Sequence, residues 1–281
     1  MSVNISMGVI GFLIKSVAKY LNRAWNKSKV VFTGQDYEQA YREYWQTKNI
    51  GLLPFSLSKE ITIALIDKCH SENVSVNSAL TTAFSLAQYD LQGNKQPYLK
   101  KALLAMSIRH LFKTPPGENF GLLAVGNEVN LPFGKDGFWN VARRFNKEAK
   151  EMLANPKKAL ALMAPLDYIE PTLFDAVYFV ESGALKNKAA ECFRNIVLTK
   201  TGKPKRSLDI TNLGIVKGIG SHLENIFFVP ILSDYYEKTL RIVTINGVIN
   251  LLMMFDNSVI GKDTAERYKQ GIVDLIIEAF K

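Results

Sequence analysis

The imidazoles and thiols that could serve as base or nucleophile are few among the 281 residues: three histidines, His70, His110 and His222, and two cysteines, Cys69 and Cys192. Cys69 beside His70 invites a thiolate–imidazole pair, but the surrounding spacing is helical and neighbours on a helix point about 100° apart. Cys69 is therefore read as core and His70 as surface. His110 follows Arg109 at the end of an apolar run read as a strand, so the two side chains take opposite faces. Arg109 itself is either a buried ion-pair residue or a ligand contact. His222 follows the glycine-dotted KGIGS and is read as solvated; that stretch is too short, and wrongly placed, for a phosphate-cradling loop. The cysteines are far apart and form no CxxC, so neither a zinc site nor a disulfide framework is expected. TGKPKRS concentrates Lys200, Lys203, Lys205 and Arg206 in one positive loop.

The elements that would position these residues follow from periodicity. In MGVIGFLIKSVAKYL, Val9, Leu13, Val17 and Leu21 with Ile10 and Phe12 line one side of a helix. The positive charges follow the apolar stretch, which is wrong for a signal peptide. Packing on its own protein is preferred to attachment to an anionic membrane surface through residues 7–25. Ser58 caps a helix carrying Ile61, Leu65 and Cys69, and Ser75 caps a second carrying Leu80, Phe84, Ala87 and Leu91 and stopping at Gly93. KALLAMSIRHL and FGLLAVGNEVNLPF read as strands, and FWNVARRFNKEAKEMLAN as an amphipathic helix. ECFRNIVLT, SLDITNLGIV and ENIFFVPIL read as further strands, the second interrupted by Asn212 and Gly214, residue types depleted in strand interiors. Asn246-Gly247 between two apolar runs predicts a type I′ hairpin. DTAERYKQGIVDLIIEAF closes the chain as a helix, with Asp263 as its cap. The order indicates an α/β fold, a two-layer mixed β-sheet with flanking helices, with a helical lead-in over 1–53 and the main domain over 54–281.

Composition narrows the partners. With 47% apolar and 22% charged residues the chain is an ordinary globular one, and no apolar run is long enough to span a bilayer. The formal charge of +9 favours anionic partners. Basic–aromatic patterning is absent, so nucleic acid is not expected. Sparse cysteine suits a reducing, cytoplasmic setting.

Taken in order, several stretches resemble one family: FSLSKEITIALIDKCHSENVSVNSALTTAFSLA; SIRHLF with Arg109; AVGNEVNLPF with Gly126, Asn127 and Pro132; DITNLGIV with Asn212 and Gly214; and the hairpin and final helix. They are similar to the C-terminal half of the chloramphenicol acetyltransferase-like, coenzyme A-dependent acyltransferases, which include condensation domains, alcohol acetyltransferases and wax ester synthases. The resemblance implies one half of a fold whose two halves enclose a tunnel. It places Asn212, Gly214, Arg109 and Asn127 along the tunnel, and Lys203, Lys205 and Arg206 near the phosphates of coenzyme A or phosphopantetheine. It implies an acyl thioester as co-substrate and no tightly bound cofactor. The family's general base is a histidine of an HHxxxDG motif, suited to the task because imidazole titrates near neutral pH. Here Val74, Thr114 and Ile226 stand four residues after the three histidines, so no HxxxD occurs. SVNISMG occupies the matching place, with Ser2, Val3 and Met7 at the histidine and aspartate positions and only Gly8 kept. The chain is thus expected to be inactive alone, either a fragment, the preferred reading, or a natural inactive relative. It is expected to pair with a missing N-terminal half or to self-associate, because half a fold leaves apolar surface uncovered.

Overall fold

The structure is a computed structural model that describes residues 8–281, apart from 94, 115, 118, 120, 122, 161–166, 198–205, 219–221, 230–231 and 233–234. In chain order its elements are α1 (Gly8–Asn26), α2 (Gly34–Thr47), β1 (Ile50–Leu57), α3 (Lys59–Ser71), α4 (Val76–Gln92), β2 (Lys101–Ser107), β3 (Ala124–Asn130), α5 (Phe138–Ala154), α6 (Pro156–Ala159), α7 (Pro171–Glu181), α8 (Lys188–Val197), β4 (Arg206–Ile215), β5 (Tyr236–Ile245), β6 (Val248–Asp256) and α9 (Lys262–Glu278). They divide into two compact units, each discontinuous in sequence. A sheet unit comprises Ile50–Met106, Gly126–Ala154 and Pro204–Lys281, and a helical unit comprises Met1–Asn49, Ser107–Val125 and Asn155–Lys203. The expected boundary at 53/54 falls inside β1.

The sheet has the order β1-β6-β5-β4-β2-β3. Asn246 (φ 51°) and Gly247 (φ 79°) make the expected tight turn between antiparallel β5 and β6. β4 lies parallel to both β5 and β2, so the sheet is mixed, as expected. β1 was not legible as a strand because Pro54 interrupts it. The proline is tolerated because β1 is an edge strand. Leu53, Phe55 and Leu57 alternate inward there.

One face of the sheet packs on α3, α4, α5 and α9 around Leu208, Ile210, Leu240, Ile242, Leu251, Met253 and Phe255. The predicted caps form: Ser58 Oγ accepts from Ile61 N at 3.3 Å, Ser75 Oγ from Ser78 N at 3.1 Å, and Gly93 ends α4 at φ 67°. Asp263 does not cap α9. Gly261 holds that position, and Asp263 sits in the first turn, where its charge suits the helix dipole. ENIFFVPIL is not a strand over its described residues, which have no ladder partner; Phe227 and Val229 there are exposed.

In the helical unit, ECFRNIVLT falls largely within helix α8 rather than a strand. Asn187 Oδ1 accepts from Ala189 N (3.0 Å) and Ala190 N (3.2 Å), and Ala189, Ala190 and Phe193 bury at helical spacing, a start signal that lies upstream of the stretch read as β. The aromatic-dotted stretch before β1 is helix α2, opened by a capping box between Thr33 and Asp36. α1 is a helix as expected, but turned. Ala18, Leu21 and Trp25 are buried with Leu173, Val177 and Phe193, while Phe12, Leu13 and Val17 are exposed. Polar bonds fix this rotation: Trp25 Nε1 donates to Thr172 Oγ1 (3.0 Å), and Asn22 donates to the Tyr168 carbonyl (2.8 Å) and accepts from Glu170 N (3.0 Å).

The sheet also buries charge. Lys238, 0% exposed, donates to Glu237 at 2.6 Å and lies over the rings of Tyr268 (4.9 Å) and Phe84 (5.7 Å). Glu237 also accepts from Tyr98 (2.7 Å) and Gln92 (3.3 Å). Burial opposes ionisation of Glu237, but the Lys238 ammonium and these donors hold its carboxyl below the ordinary glutamate range. Burial likewise pushes Lys238 down, an effect that Glu237 partly offsets. A carboxyl depressed in the folded state contributes stability above its unfolded pKa and loses it as pH falls through the folded value. Urea unfolding of the wild type should therefore show stability dropping below the ordinary glutamate range. Glu237→Gln should flatten that drop and cost about 3 kcal/mol at pH 7 by leaving a buried charge unpaired. An unchanged pH profile in the variant would contradict this assignment.

Candidate functional site

The interruption in SLDITNLGIV is a β-bulge. Asn212 pairs with Ile242 and Ile215 with Thr244, so three steps along β4 match two along β5. Gly214 adopts φ 73°, which L side chains disfavour, and the Asn212 side-chain oxygen accepts from Gly214 N at 2.8 Å, closing the local turn. A Cβ on Gly214 would meet nothing within 4 Å, so this glycine is required by conformation and not by space. The Asn212 amide nitrogen faces Asn77 Oδ1, in the first turn of α4, at 3.4 Å. Beyond the bulge Leu213 and Ile215 are exposed, whereas Leu208 and Ile210 before it are buried.

Ion pairs hold the strand around the bulge. On the opposite face Arg241 of β5 donates to Asp209 of β4 at 2.5 Å, and both are largely buried. The ladder sets Thr211 beside Arg241, so the pair runs diagonally across parallel strands. At the start of β4, Arg206 is buried and paired with Glu128 at 2.8 Å, which also takes Lys101 at 2.6 Å. Arg206 thus begins the strand and lies in an ion-pair cluster rather than in a loop. Lys200, Lys203 and Lys205 lie outside the described residues, as do residues 2–7 of SVNISMG.

Asn127 of β3 is buried, and its amide reaches the Met106 sulfur at 3.7 Å. It shares a face with Val129, as Asn212 does with Leu208 and Ile210, and all three of these apolar residues belong to the core under the helices. The two amides therefore project to the same side, with β2 between their strands, about 10 Å apart across the sheet before any offset along it. Gly126 is tight: a Cβ there would come within 2.5 Å of the Leu103 side chain. Arg109 belongs to the helical unit. β2 ends at Ser107, and Arg109 opens a 3₁₀ turn, exposed, donating to the Gly117 carbonyl at 2.6 Å. It is exposed and has no ion pair among the described residues, contrary to one of its two sequence readings.

Cys69 and His70 separate as expected, Cys69 buried with its thiol pushed up to about 12 by burial and His70 exposed. His110 and His222 are exposed, and no cluster of metal-ligating residues occurs among the described residues. Sequence reading missed the buried Lys238–Glu237 and Asp209–Arg241 pairs; charges inside the β-like run YEKTLRIVTI were the available signal. The bulge can offer an amide and exposed apolar side chains to an extended ligand, but nothing described beside it pairs a nucleophile with a base.

No sequence family matches the chain, and neither does any curated protein. Solved structures do match. The trichothecene 15-O-acetyltransferase TRI3 of Fusarium sporotrichioides aligns with a TM-score of 0.59 at 14% identity, over 89% of this chain and 53% of that one. The epimerization domain of tyrocidine synthetase module TycB3 aligns at 0.54 and 13% identity, over 96% and 58%. The acyl transferase PapA2 aligns at 0.53 and 9% identity, over 100% and 53%. The chain therefore has the chloramphenicol acetyltransferase-like fold of condensation-type domains and acyltransferases, and it spans little more than half the length of these structures.

The bulge geometry makes a stability prediction. Gly214→Ala should cost about 1–2 kcal/mol in urea unfolding through its positive φ alone, and Gly214→Asn less, because asparagine tolerates that region. Equal losses would mean that space, and not conformation, selects glycine.

Proposed function

We propose that the chain is the C-terminal portion of an acyltransferase or condensation-type enzyme that passes an acyl group from coenzyme A or phosphopantetheine to an alcohol or amine. The observation that carries this reading is the match over nearly the whole chain to acyltransferase and condensation-type folds. In this reading the β4 bulge, with Asn212 and Gly214, walls the path of the acyl or pantetheine arm, with Asn127 on the same face. Phosphate recognition falls to Lys203 and Lys205, since Arg206 is already bound to Glu128. A free, exposed Cys192 fits a reducing, cytoplasmic compartment.

The chain alone is inactive in this reading because no HxxxD occurs in its 281 residues. Its general base lies on sequence outside these 281 residues, in the same or another polypeptide carrying HHxxxDG with which it pairs, or with a second copy it forms a non-catalytic assembly. The same missing motif supports a second reading, a binding or scaffold protein with this fold. Incubating the purified chain with an acyl-coenzyme A and an alcohol acceptor should give no thiol release above background. Co-expression with a polypeptide supplying the HHxxxDG portion should raise turnover by on the order of 10² to 10⁴, the usual worth of a general base. Efficient transfer by the chain alone would overturn the proposal, and silence in both assays would favour the scaffold.

A further inference from the structure

The acyl-transfer reading assigns no ligand-contacting residue to the outward face of α1. Phe12 (69% exposed), Leu13 (57%), Val17 (46%) and Tyr20 (68%) are large apolar side chains that stand open to solvent. At 100° per residue they and Ser16 fall within one arc of about 140°, opposite the buried Ala18, Leu21 and Trp25. Arg23 and Lys27 continue that arc toward the C-terminal end of the helix and just past it, and Lys15 and Lys19 lie along its edge. Residues 8–33 contain no aspartate or glutamate. Lys15 lies over the Tyr168 ring and Lys29 pairs with Glu170, whereas Lys19, Arg23 and Lys27 are exposed and have no carboxylate partner among the described residues.

We propose that this face docks on an anionic lipid bilayer. A protein partner would cover the apolar residues equally well; the run of cations without acids on the same side selects a surface that is both apolar and negatively charged. Phe12, Leu13, Val17 and Tyr20 enter the headgroup–acyl boundary, and Arg23 and Lys27 meet lipid phosphates, the arrangement of an interfacial helix. No helix of the described residues is long and apolar enough to cross the membrane. Because Asn22 and Trp25 hold the opposite side to the protein, docking requires no unfolding.

The test is vesicle flotation of the full chain. Wild type should float with phosphatidylcholine vesicles containing about 30% phosphatidylserine, not with phosphatidylcholine alone, and should be released by about 0.5 M salt, where screening is short-ranged. Substituting Lys19, Arg23 and Lys27 together by glutamine should weaken partitioning on the order of 100-fold, about fivefold per cation. Phe12→Ser with Leu13→Ser should abolish flotation at an unchanged thermal midpoint, since neither side chain is buried. Absence of flotation, or flotation indifferent to both variants, would overturn the proposal. So would a concentration-dependent dimer in sedimentation velocity that the serine variant dissolves, which would assign the face to a second copy.

Discussion

β5 is buried on both faces from Glu237 to Ile245, and the rest of the sheet unit is arranged around that constraint. A strand with no access to water must find partners for its charges within the fold, because an unpaired buried charge costs several kcal/mol. Lys238 finds Glu237 and two aromatic rings under α4 and α9, and Arg241 finds Asp209 on the other face. Each pairing in turn fixes a neighbour. Glu237 draws in Tyr98 and Gln92, and Asp209 holds β4 in parallel register beside β5.

The bulge marks where this burial stops. Up to Ile210 the side chains of β4 are buried; after it Leu213 and Ile215 are exposed. One extra residue, accommodated by Gly214 at positive φ and closed by Asn212, ends the tight ladder without ending the strand, since Val216 N still reaches the Thr244 carbonyl at 2.9 Å. A rigid, fully paired strand ending in a locally irregular segment with an amide and exposed apolar side chains is a sound way to present a surface to a ligand.

Much of this was legible in the sequence where local chemistry decides: Ser58 and Ser75 as caps, Gly93 as a stop, Asn246-Gly247 as a hairpin, and Asn212 and Gly214 as a break in a strand. It was illegible where tertiary partners decide. The apolar residues of α1 suggested a buried stripe through Leu13 and Val17, yet Trp25 and Asn22, outside that stripe, set the helix rotation. ECFRNIVLT has β-like composition, but its helix begins upstream, at the cap formed by Asn187. β1 was hidden by a proline that only an edge position tolerates. At the candidate site, the bulge residues were recognisable by type, while the reason for Gly214, conformation and not room, needed the backbone.

In the acyl-transfer reading, ligand contact at the bulge is the property that these residues themselves must show. Amide-resolved NMR of the isotopically labelled protein, titrated with a non-hydrolysable pantetheine thioether, measures it most directly. The account predicts shifts concentrated at Asn212–Val216 and at Asn127, on the shared face. Shifts confined to other segments, or none at saturating ligand, would contradict it.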